Sequence, residues 1–316
     1  MRVSTMMPLI AAIPSAFAAP QQPEFTNTTA LPTHFAMLLI PHFQALDVFG
    51  PLDVLNTLSM LYGNKTAMTL TLLSKTMDPV GTTIKGMHGK SNFGEEVLPT
   101  NTFANVLAKK KNCPASQGKA HDQVSVESYS EGNDDGWGNG YARRHEGHAP
   151  STPHAPSAPQ EPPMNHTMPM PMDSDIEVLL VPGGGGTRQN MTEEIAFVKE
   201  IYPKLKYIIS ICTGATILSR AGVLDGKKAT TNKRAWPWAT STGPNVEWVP
   251  SARWVEDGNV FSSSGISAGI DVTFAWVGKV YGEEVADYLA NSMEYERWTD
   301  PHKDPFAKVW DVPGAV

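Results

Sequence analysis

The sequence contains very little cysteine: among its 316 residues only Cys113 and Cys212 carry a thiol. A secreted protein stabilised by a disulfide framework would carry more cysteines, so we expect the hydrophobic core to stabilise this fold. The two cysteines could pair, but Cys113 lies in a stretch with little apolar content. A free thiol at Cys212 is therefore a feature that requires an explanation.

Several signals of binding partners are also missing. The net charge is −7 at pH 7 and no basic stripe is visible, which argues against nucleic acid as a partner. Beyond the N-terminus no run is apolar enough to span a bilayer, so no membrane association is predicted. The glycine-rich run from Pro182 to Thr187 matches neither of the two phosphate-binding motifs, G-x-x-x-x-G-K-S/T and G-x-G-x-x-G. This argues against a nucleotide site. We predict no cofactor and no metal.

The N-terminus has the pattern of a secretory signal peptide over residues 1–18. Arg2 supplies the positive charge, Met6 to Ala18 is short and apolar, and Ala16-Phe17-Ala18 offers small residues for cleavage. A polar lead-in follows over residues 19–33. The sequence therefore predicts secretion, and four N-x-S/T sequons agree with glycosylation outside the cell. These sequons are at Asn27, Asn64, Asn165 and Asn190.

One long segment differs in composition from the rest of the chain. Over residues 109–173 the apolar periodicity disappears and lysines, glycines and many prolines take its place. Such a segment cannot bury enough apolar surface to offset its ordering entropy, which predicts a disordered insertion within one domain at 34–300, followed by a tail at 301–316. The alternation of methionine with histidine or proline at 164–172 would also suit Cu(I), and a translated intron is a third interpretation.

Nearly continuous apolar runs alternate with helical spacing along the remaining chain. The apolar runs, at residues 35–41, 68–74, 176–181 and 207–211, are typical of strands buried on both faces. Helical segments are predicted at residues 52–58, 192–202, 213–221, 267–281 and 283–295; a short strand is predicted at 228–231, with hairpins at 80–93 and 248–263. The alternation predicts an α/β fold with a doubly wound, mostly parallel sheet. Ligands of such sheets bind at the carboxyl ends of the strands.

Cys212 lies where the strand ending at Ile211 gives way to the helix beginning at Thr213. A side chain at such a turn faces a helix N-terminus, whose dipole and free N–H groups lower a thiol pKa and bind a developing anion. This arrangement follows the logic of a nucleophile elbow, although the G-x-S-x-G motif is absent. The alternative interpretation is a small buried hydrophobic residue.

Four motifs in order resemble the ThiJ/PfpI superfamily of class I glutamine-amidotransferase-like proteins, and within it the isonitrile hydratases. They are LDVFGPLDVL, VLLVPGGGG, SICTGA with AGVLDGKKATTNKRAW, and FSSSGISAGID. The resemblance covers about Phe35 to Arg297 without the insertion. It implies a flavodoxin-like sheet with a nucleophile-elbow cysteine, and commonly a homodimer.

The resemblance also implies roles for individual residues. Cys212 becomes the nucleophile and Asp47 its acidic partner, while Gly183, Gly184 and Thr213 would supply oxyanion-type N–H donors. Asp47 could instead cap the helix that ends at Leu58. Asn232 and Trp236 are possible pocket residues, although Trp236 could equally belong to the core. For Asp271, in the helix after Gly265, we favour a structural role.

Asn232 departs from the pattern, because hydratase-like relatives often carry histidine at this position. A Cys–His pair needs an imidazole to take and return a proton, so amide hydrolysis is disfavoured. We therefore expect a hydro-lyase reaction on an activated small electrophile. Cys212 would attack an isonitrile, Asp47 would protonate the substrate and then activate water, and an N-substituted formamide would form. The alternatives are a glyoxalase- or deglycase-like enzyme acting on reactive carbonyls and a non-enzymatic, redox-responsive stress protein.

Overall fold

The computed structural model describes residues 21–27, 30–83, 93–109 and 175–316. The predicted signal peptide, almost all of the predicted insertion, and the sequon asparagine Asn165 lie outside these residues. Secretion, glycosylation and the nature of the insertion therefore stay predictions.

The described residues form strands and helices that alternate along the chain. The strands are β1 (His34–Leu38), β2 (Thr69–Ser74), β3 (Val80–Gly81), β4 (Glu96–Val97), β5 (Asn101–Thr102), β6 (Val178–Val181), β7 (Tyr207–Ser210), β8 (Lys228–Ala229), β9 (Glu247–Trp248), β10 (Trp254–Asp257) and β11 (Val260–Ser263). The helices are α1 (Ala45–Tyr62), α2 (Phe103–Lys109), α3 (Thr192–Ile201), α4 (Ala215–Arg220), α5 (Trp236–Ser241), α6 (Ala268–Tyr281), α7 (Glu283–Ser292) and α8 (Phe306–Val309).

Seven strands make the main sheet, in the order β10-β11-β7-β6-β1-β2-β5. All neighbours are parallel except β10 and β11, which form an antiparallel hairpin at one edge. In register, Phe35 of β1 lies between Leu70 of β2 and Val178 of β6. The chain leaves β1 for β2 on one side and later reaches β6 on the other, so the topological switch point lies between β1 and β6. The predicted doubly wound, flavodoxin-like α/β fold is confirmed.

The apolar runs form strands because helices cover both faces of the sheet. Helices α1, α6 and α7 pack together as one group, while α3 packs with α4, and α4 with α5. On the first side the ring of Phe35 meets Trp276 of α6 edge-on at 5.7 Å. On the other side the rings of Phe103 and Phe197, from α2 and α3, stack at 4.6 Å. Strands β1 and β6 are consequently buried almost throughout.

Helix α1 begins earlier than the sequence predicts. The helical spacing predicts a helix at residues 52–58, after Gly50-Pro51, but α1 already starts at Ala45 and contains Pro51. Proline costs one intrahelical bond because it has no N–H group, and the packing of α1 against α6 compensates. A Cβ on Gly50 would lie 2.8 Å from Ile270 Cγ1, so glycine allows this close approach. The longer helix places Asp47 in its first turn.

The hairpin predictions have different outcomes. Strands β10 and β11 pair within the predicted segment 248–263. Strand β3 pairs with β4 at Glu96–Val97, beyond the predicted limit of Phe93, and residues 84–92 are not described. The short strand predicted at 228–231 is β8, which pairs in parallel with β9 outside the main sheet.

The segment 301–316, separated as a tail in the sequence, packs against the domain. The N–H groups of Arg253 and Asp304 donate to the carbonyls of Pro301 and Ser251, both at 2.8 Å. Ala307 and Val312 are buried against Trp236. Residues 301–316 thus contribute a buried surface beside α5.

Gly214 fills a position where any side chain would collide with the sheet. Its backbone is ordinary helical, but a Cβ would lie 2.2 Å from the carbonyl oxygen of Val181. We expect Gly214→Ala to lower the free energy of unfolding by about 1–3 kcal/mol, as overpacking does, seen as a lower urea midpoint. Gly81→Ala, whose Cβ would meet its nearest atom at 3.5 Å, is the matched control and should be close to neutral. Equal midpoints for the two variants would contradict this account.

Candidate active site

Four adjacent parallel strands deliver the candidate residues to one edge of the sheet. Asp47 follows β1, Gly183 and Gly184 follow β6, Cys212 follows β7, and the loop Ser264–Ile266 follows β11. Carboxyl ends of parallel strands meet at the same edge, and the β1/β6 switch point opens between the loops. The arrangement therefore matches the usual position of a ligand site in an open α/β sheet.

Cys212 has a strained backbone conformation that its neighbours hold in place. Its φ angle is +56°, a left-handed conformation that is costly for a residue with a side chain. The Cys212 N–H donates to the carbonyl of Ser264 at 3.0 Å, and the Thr231 hydroxyl donates to the Cys212 carbonyl at 2.9 Å. Both peptide groups are thus fixed by other loops. The predicted nucleophile elbow is present in geometry.

Asp47 is fully buried and has one oxygen uncommitted. Its Oδ2 accepts the Gly183 N–H at 2.9 Å, whereas Oδ1 has no hydrogen-bond partner. Burial raises the pKa of the Asp47 carboxyl to about 7, although the Gly183 N–H and the Cys212 thiol oppose the rise. The alternative of a helix cap is wrong, because Asp47 lies inside α1 and its carboxyl crosses to the β6 loop.

The sulfur of Cys212 has three N–H donors around it. The Asn232 amide donates to Sγ at 3.2 Å, and the backbone N–H groups of Ile266 and Thr213 also favour its charged form. The orientation of the Asn232 amide is fixed, because its oxygen accepts the Ala235 N–H at 2.9 Å. These donors would stabilise negative charge on the sulfur or on an atom bound beside it.

The thiol is nevertheless protonated at neutral pH. Burial raises the pKa of Cys212 to about 12, the negative charge of Asp47 adds to this, and the three donors only partly oppose it. The Thr213 N–H at the helix N-terminus lowers this pKa as predicted, but the net shift is upward, because the thiol is only 5% exposed and the loss of hydration outweighs the donors. Between about pH 7 and the thiol pKa, the Cys212–Asp47 pair holds one proton, which resides on the sulfur and leaves Asp47 as a carboxylate.

Two of the predicted oxyanion donors are already engaged. The Gly183 N–H donates to Asp47, and the Gly184 N–H donates to Thr213 Oγ1 at 3.1 Å. Of the predicted set, only the Thr213 N–H faces the sulfur. Gly183 is needed for packing, because a Cβ atom at this position would lie only 2.5 Å from the Thr213 backbone nitrogen.

The remaining predicted residues separate into different surroundings. Asn232 reaches the sulfur, whereas Trp236 packs edge-on to Trp248 and against the C-terminal segment, as part of the core. Asp271 has the structural role we favoured, since it pairs with Arg253 at 2.6 Å. The sequon residues Asn64 and Asn190 are exposed, and Asn27 is half-buried.

Sequence reasoning missed the contribution of Ile266. This residue has a positive φ of +32°, and its backbone N–H favours the charged form of the Cys212 sulfur. The motif FSSSGISAGID was recognised, but nothing in its pattern says that a backbone group within it faces the thiol. A Cβ on the preceding Gly265 would lie 2.7 Å from Asn232 Nδ2, which is a signal that only the structure supplies.

Other features of the described residues lie away from Cys212. A cavity of about 400 Å³ lies at the opposite edge of the sheet, beside Asn27, Lys206, Tyr207, Asn259 and Lys279. No helix in the described ranges combines the length and apolar character needed to cross a bilayer. Within those same ranges, no three His, Cys, Asp or Glu side chains are grouped to share a metal ion.

Comparison with known proteins relates this geometry to a family. Residues 168–279 match the DJ-1/PfpI family. The isonitrile hydratase of Pseudomonas putida is 34% identical over 123 residues, which cover 38% of this chain and 52% of the hydratase. The HTH-type transcriptional regulator GbdR of Pseudomonas aeruginosa is 27% identical over 123 residues, covering 39% of this chain and 33% of the regulator. The chain thus spans about half of one relative and a third of the other.

Solved structures agree on the fold. A ThiJ/PfpI family protein from Pseudomonas syringae has a TM-score of 0.52 and 22% identity, with 91% of this chain and 85% of that chain covered. DJ-1beta of Drosophila melanogaster has a TM-score of 0.51 and 16% identity, with 84% of this chain and all of that chain covered. At 22% and 16% sequence identity, the similarity of these two structures to this chain supports the fold alone.

Proposed function

This chain belongs to the ThiJ/PfpI superfamily and is similar to isonitrile hydratase, and we propose that it adds water to a small isonitrile to give an N-substituted formamide. The observation that carries the proposal is that the Asp47 carboxyl lies beside the Cys212 thiol. Asp47 Oδ1 is buried and accepts no hydrogen bond. The pair supplies a nucleophile and one group that can both take and give a proton.

Isonitrile hydration suits a cysteine that has no histidine partner. Among the described residues, the groups that act on the sulfur are the Asp47 carboxyl, the Asn232 amide and two backbone N–H groups. Amide hydrolysis needs a further acid to protonate a leaving amine. In isonitrile hydration the sulfur and the proton add to the same carbon, and no group leaves except the sulfur itself. One carboxyl beside the thiol is therefore sufficient.

The first half of the reaction forms a covalent adduct. The Asp47 carboxylate takes the thiol proton, and the sulfur then attacks the isonitrile carbon as Asp47 delivers that proton to the same carbon. A carbon–sulfur and a carbon–hydrogen bond form, which gives a thioformimidate, R–N=CH–S–Cys. Asp47 is a carboxylate again, and no net charge has been created or lost.

The second half consumes one water. Asp47 takes a proton from water while the oxygen adds to the thioformimidate carbon, and the nitrogen then receives that proton. The carbon–sulfur bond breaks as the hydroxyl becomes a carbonyl, and the hydroxyl proton returns through Asp47 to the sulfur. The products are R–NH–CHO, the Cys212 thiol and the Asp47 carboxylate, so all atoms of isonitrile and water are accounted for. The donors around Cys212 stabilise the departing thiolate.

The structural surroundings of Cys212 favour this reaction over a redox role. Redox-sensing thiols are exposed and have a low pKa, whereas this thiol is buried and its pKa is raised. A glyoxalase- or deglycase-like reaction would use the same pair of residues on a reactive carbonyl, and it is the alternative that the assay must separate.

The test is formamide production by the purified protein. We expect cyclohexyl isonitrile to be converted into N-cyclohexylformamide, detected by the formyl proton in the NMR spectrum, with much slower turnover of methylglyoxal. If the formyl signal appears as fast in buffer alone as with the protein, the proposal is wrong. Turnover of methylglyoxal without turnover of the isonitrile would assign the site to carbonyl chemistry instead.

A further inference from the structure

A cluster of buried charges lies beside the candidate site and is not used by the proposed reaction. Its members, each at most 6% exposed, are Lys233, Arg253, Asp271 and Asp304. Arg253 binds Asp271 at 2.6 Å, and Asp271 also accepts the Tyr295 hydroxyl and the Trp298 N–H. Arg253 Nη1 also lies 3.8 Å from Asp304 Oδ1, so Asp304 faces two cations, and it is the carboxylate that pairs with Lys233.

Lys233 is held by two loops and faces one carboxylate. Its Nζ donates to Thr230 Oγ1 and to the Ala252 carbonyl, both at 2.7 Å, and lies 3.9 Å from Asp304 Oδ2. Burial lowers the pKa of Lys233 to about 7; Asp304 opposes this and the nearby Arg253 adds to it. Asp304 is therefore the charge that favours the ammonium form of Lys233 at this position.

Asp304 brings the C-terminal segment into this arrangement. Its Oδ1 accepts the Phe306 N–H at 3.1 Å at the start of α8, and its own N–H donates to the Ser251 carbonyl. Its Oδ2 has no hydrogen-bond partner and points toward Lys233. The segment 301–316 thus contributes Asp304, near its start, to the charged cluster.

Lys233 is adjacent in sequence to a residue of the candidate site. Asn232, whose amide donates to Cys212 Sγ, immediately precedes Lys233, and the Thr231 hydroxyl donates to the Cys212 carbonyl. We propose that Lys233 and Asp304 are positioning residues, which hold Asn232 against the sulfur through an ion pair between the C-terminal segment and the loop 230–235. The proposal rests on Cys212 being the reactive group of the proposed function, although it does not depend on which electrophile reacts.

Stability alone does not account for such a pair. Replacing a buried ion pair with apolar residues of similar size is often neutral or stabilising, because two charges lose their hydration. What the pair supplies here is a fixed position for the loop. Without the Asp304 charge, Lys233 would lose its proton at neutral pH or move toward water, because Arg253 lies nearby. In either case the ion pair that fixes the loop is lost, and Asn232 is no longer held in place.

Alkylation of Cys212 by iodoacetamide tests this without any assumption about the substrate. Asn232→Ala should raise the thiol pKa by about one unit, since a hydrogen bond to a charged atom is lost. The thiolate fraction then falls about tenfold, and the higher intrinsic nucleophilicity offsets part of this, leaving alkylation about threefold slower at neutral pH. Asp304→Asn, which keeps the oxygen that accepts the Phe306 N–H, should slow alkylation by up to the same factor.

A double-mutant cycle separates positioning from general destabilisation. In the Asn232→Ala background, Asp304→Asn should have no further effect on the alkylation rate or on its pH profile. The control is Glu247→Gln, which removes the exposed pair of Glu247 with Lys228 and should leave both unchanged. If Asp304→Asn leaves the rate unchanged in the parent, or slows it equally in both backgrounds, the proposal is wrong.

A second variant covers the case in which Asp304→Asn does not fold. Lys233→Met removes the buried charge at similar volume, together with the hydrogen bonds that Lys233 donates to Thr230 and to the Ala252 carbonyl. It is expected to slow alkylation in the parent and to have no effect in the Asn232→Ala background. Unchanged alkylation in the parent, or equal slowing in both backgrounds, would overturn the proposal. Absence of isonitrile turnover in a protein that still shows this coupling would count against the proposed function alone.

Discussion

Replacing Cys212 with alanine is expected to lower kcat for isonitrile hydration by at least about 10⁴-fold. Removal of the nucleophile from a covalent mechanism costs about this much or more, since the remaining groups can only bind and polarise the substrate. The same experiment has a second readout. Acid quenching of the parent during turnover should trap a protein whose mass is increased by one isonitrile, and Cys212→Ala should show no such species.

The matched control for this variant is Ser210→Ala, two residues earlier in the chain. Ser210 is fully buried at the end of β7, and its hydroxyl has no partner. Ser210→Ala removes one buried oxygen from the strand and so tests whether a disturbance of the strand itself reduces activity. We expect kcat to change by about twofold or less, because no hydrogen bond is removed. Turnover by Cys212→Ala at more than a few per cent of the parental rate would mean that the sulfur is not the nucleophile.

The strand-to-helix junction at Cys212 is predictable from the sequence because its causes are local. A β-branched run from Tyr207 to Ile211 favours a strand, and the residues after it have helical spacing. The start of α1 is less predictable, since Gly50-Pro51 reads as a break when only neighbours are considered. Packing of α1 against α6 reverses that local preference, and periodicity does not report it.

The contacts around the sulfur depend on which loops meet, and sheet order decides that. Asn232 and Ile266 come from loops 20 and 54 positions after Cys212, and β11 brings Ile266 close because it pairs with β7. The sequence predicts Asn232 only as a possible pocket residue, by resemblance, and it gives no sign that Asp304 reaches Lys233. The upward shift of the thiol pKa is not predictable from the sequence, because burial, which dominates it, is a property of the assembled fold.

Replacing Asp47 with asparagine should lower kcat/KM by about 10²–10⁴-fold, the usual contribution of general acid–base catalysis. The pH profile of the parent gives the sharper test. Since the carboxylate form must accept the thiol proton, and the pKa of Asp47 is about 7, kcat/KM should fall about tenfold per unit below pH 7 and level off above it. In Asp47→Asn this limb should be absent, and the small remaining rate should rise steadily with pH as the thiol ionises. Asp53→Asn, an exposed carboxylate on the same helix, should behave as the parent.

The stability of Asp47→Asn separates lost chemistry from lost structure. The folded-state pKa of Asp47 lies above its unfolded value of 3.8, so its stabilising contribution is complete below about pH 4 and is lost as the pH rises through about 7. At pH 8 the parent therefore buries an unfavourable charge that the neutral asparagine lacks. We expect Asp47→Asn to unfold at a higher urea concentration than the parent at pH 8, with little difference at pH 4. A parental rate that falls rather than rises through pH 7 would instead show that Asp47 must start the reaction protonated.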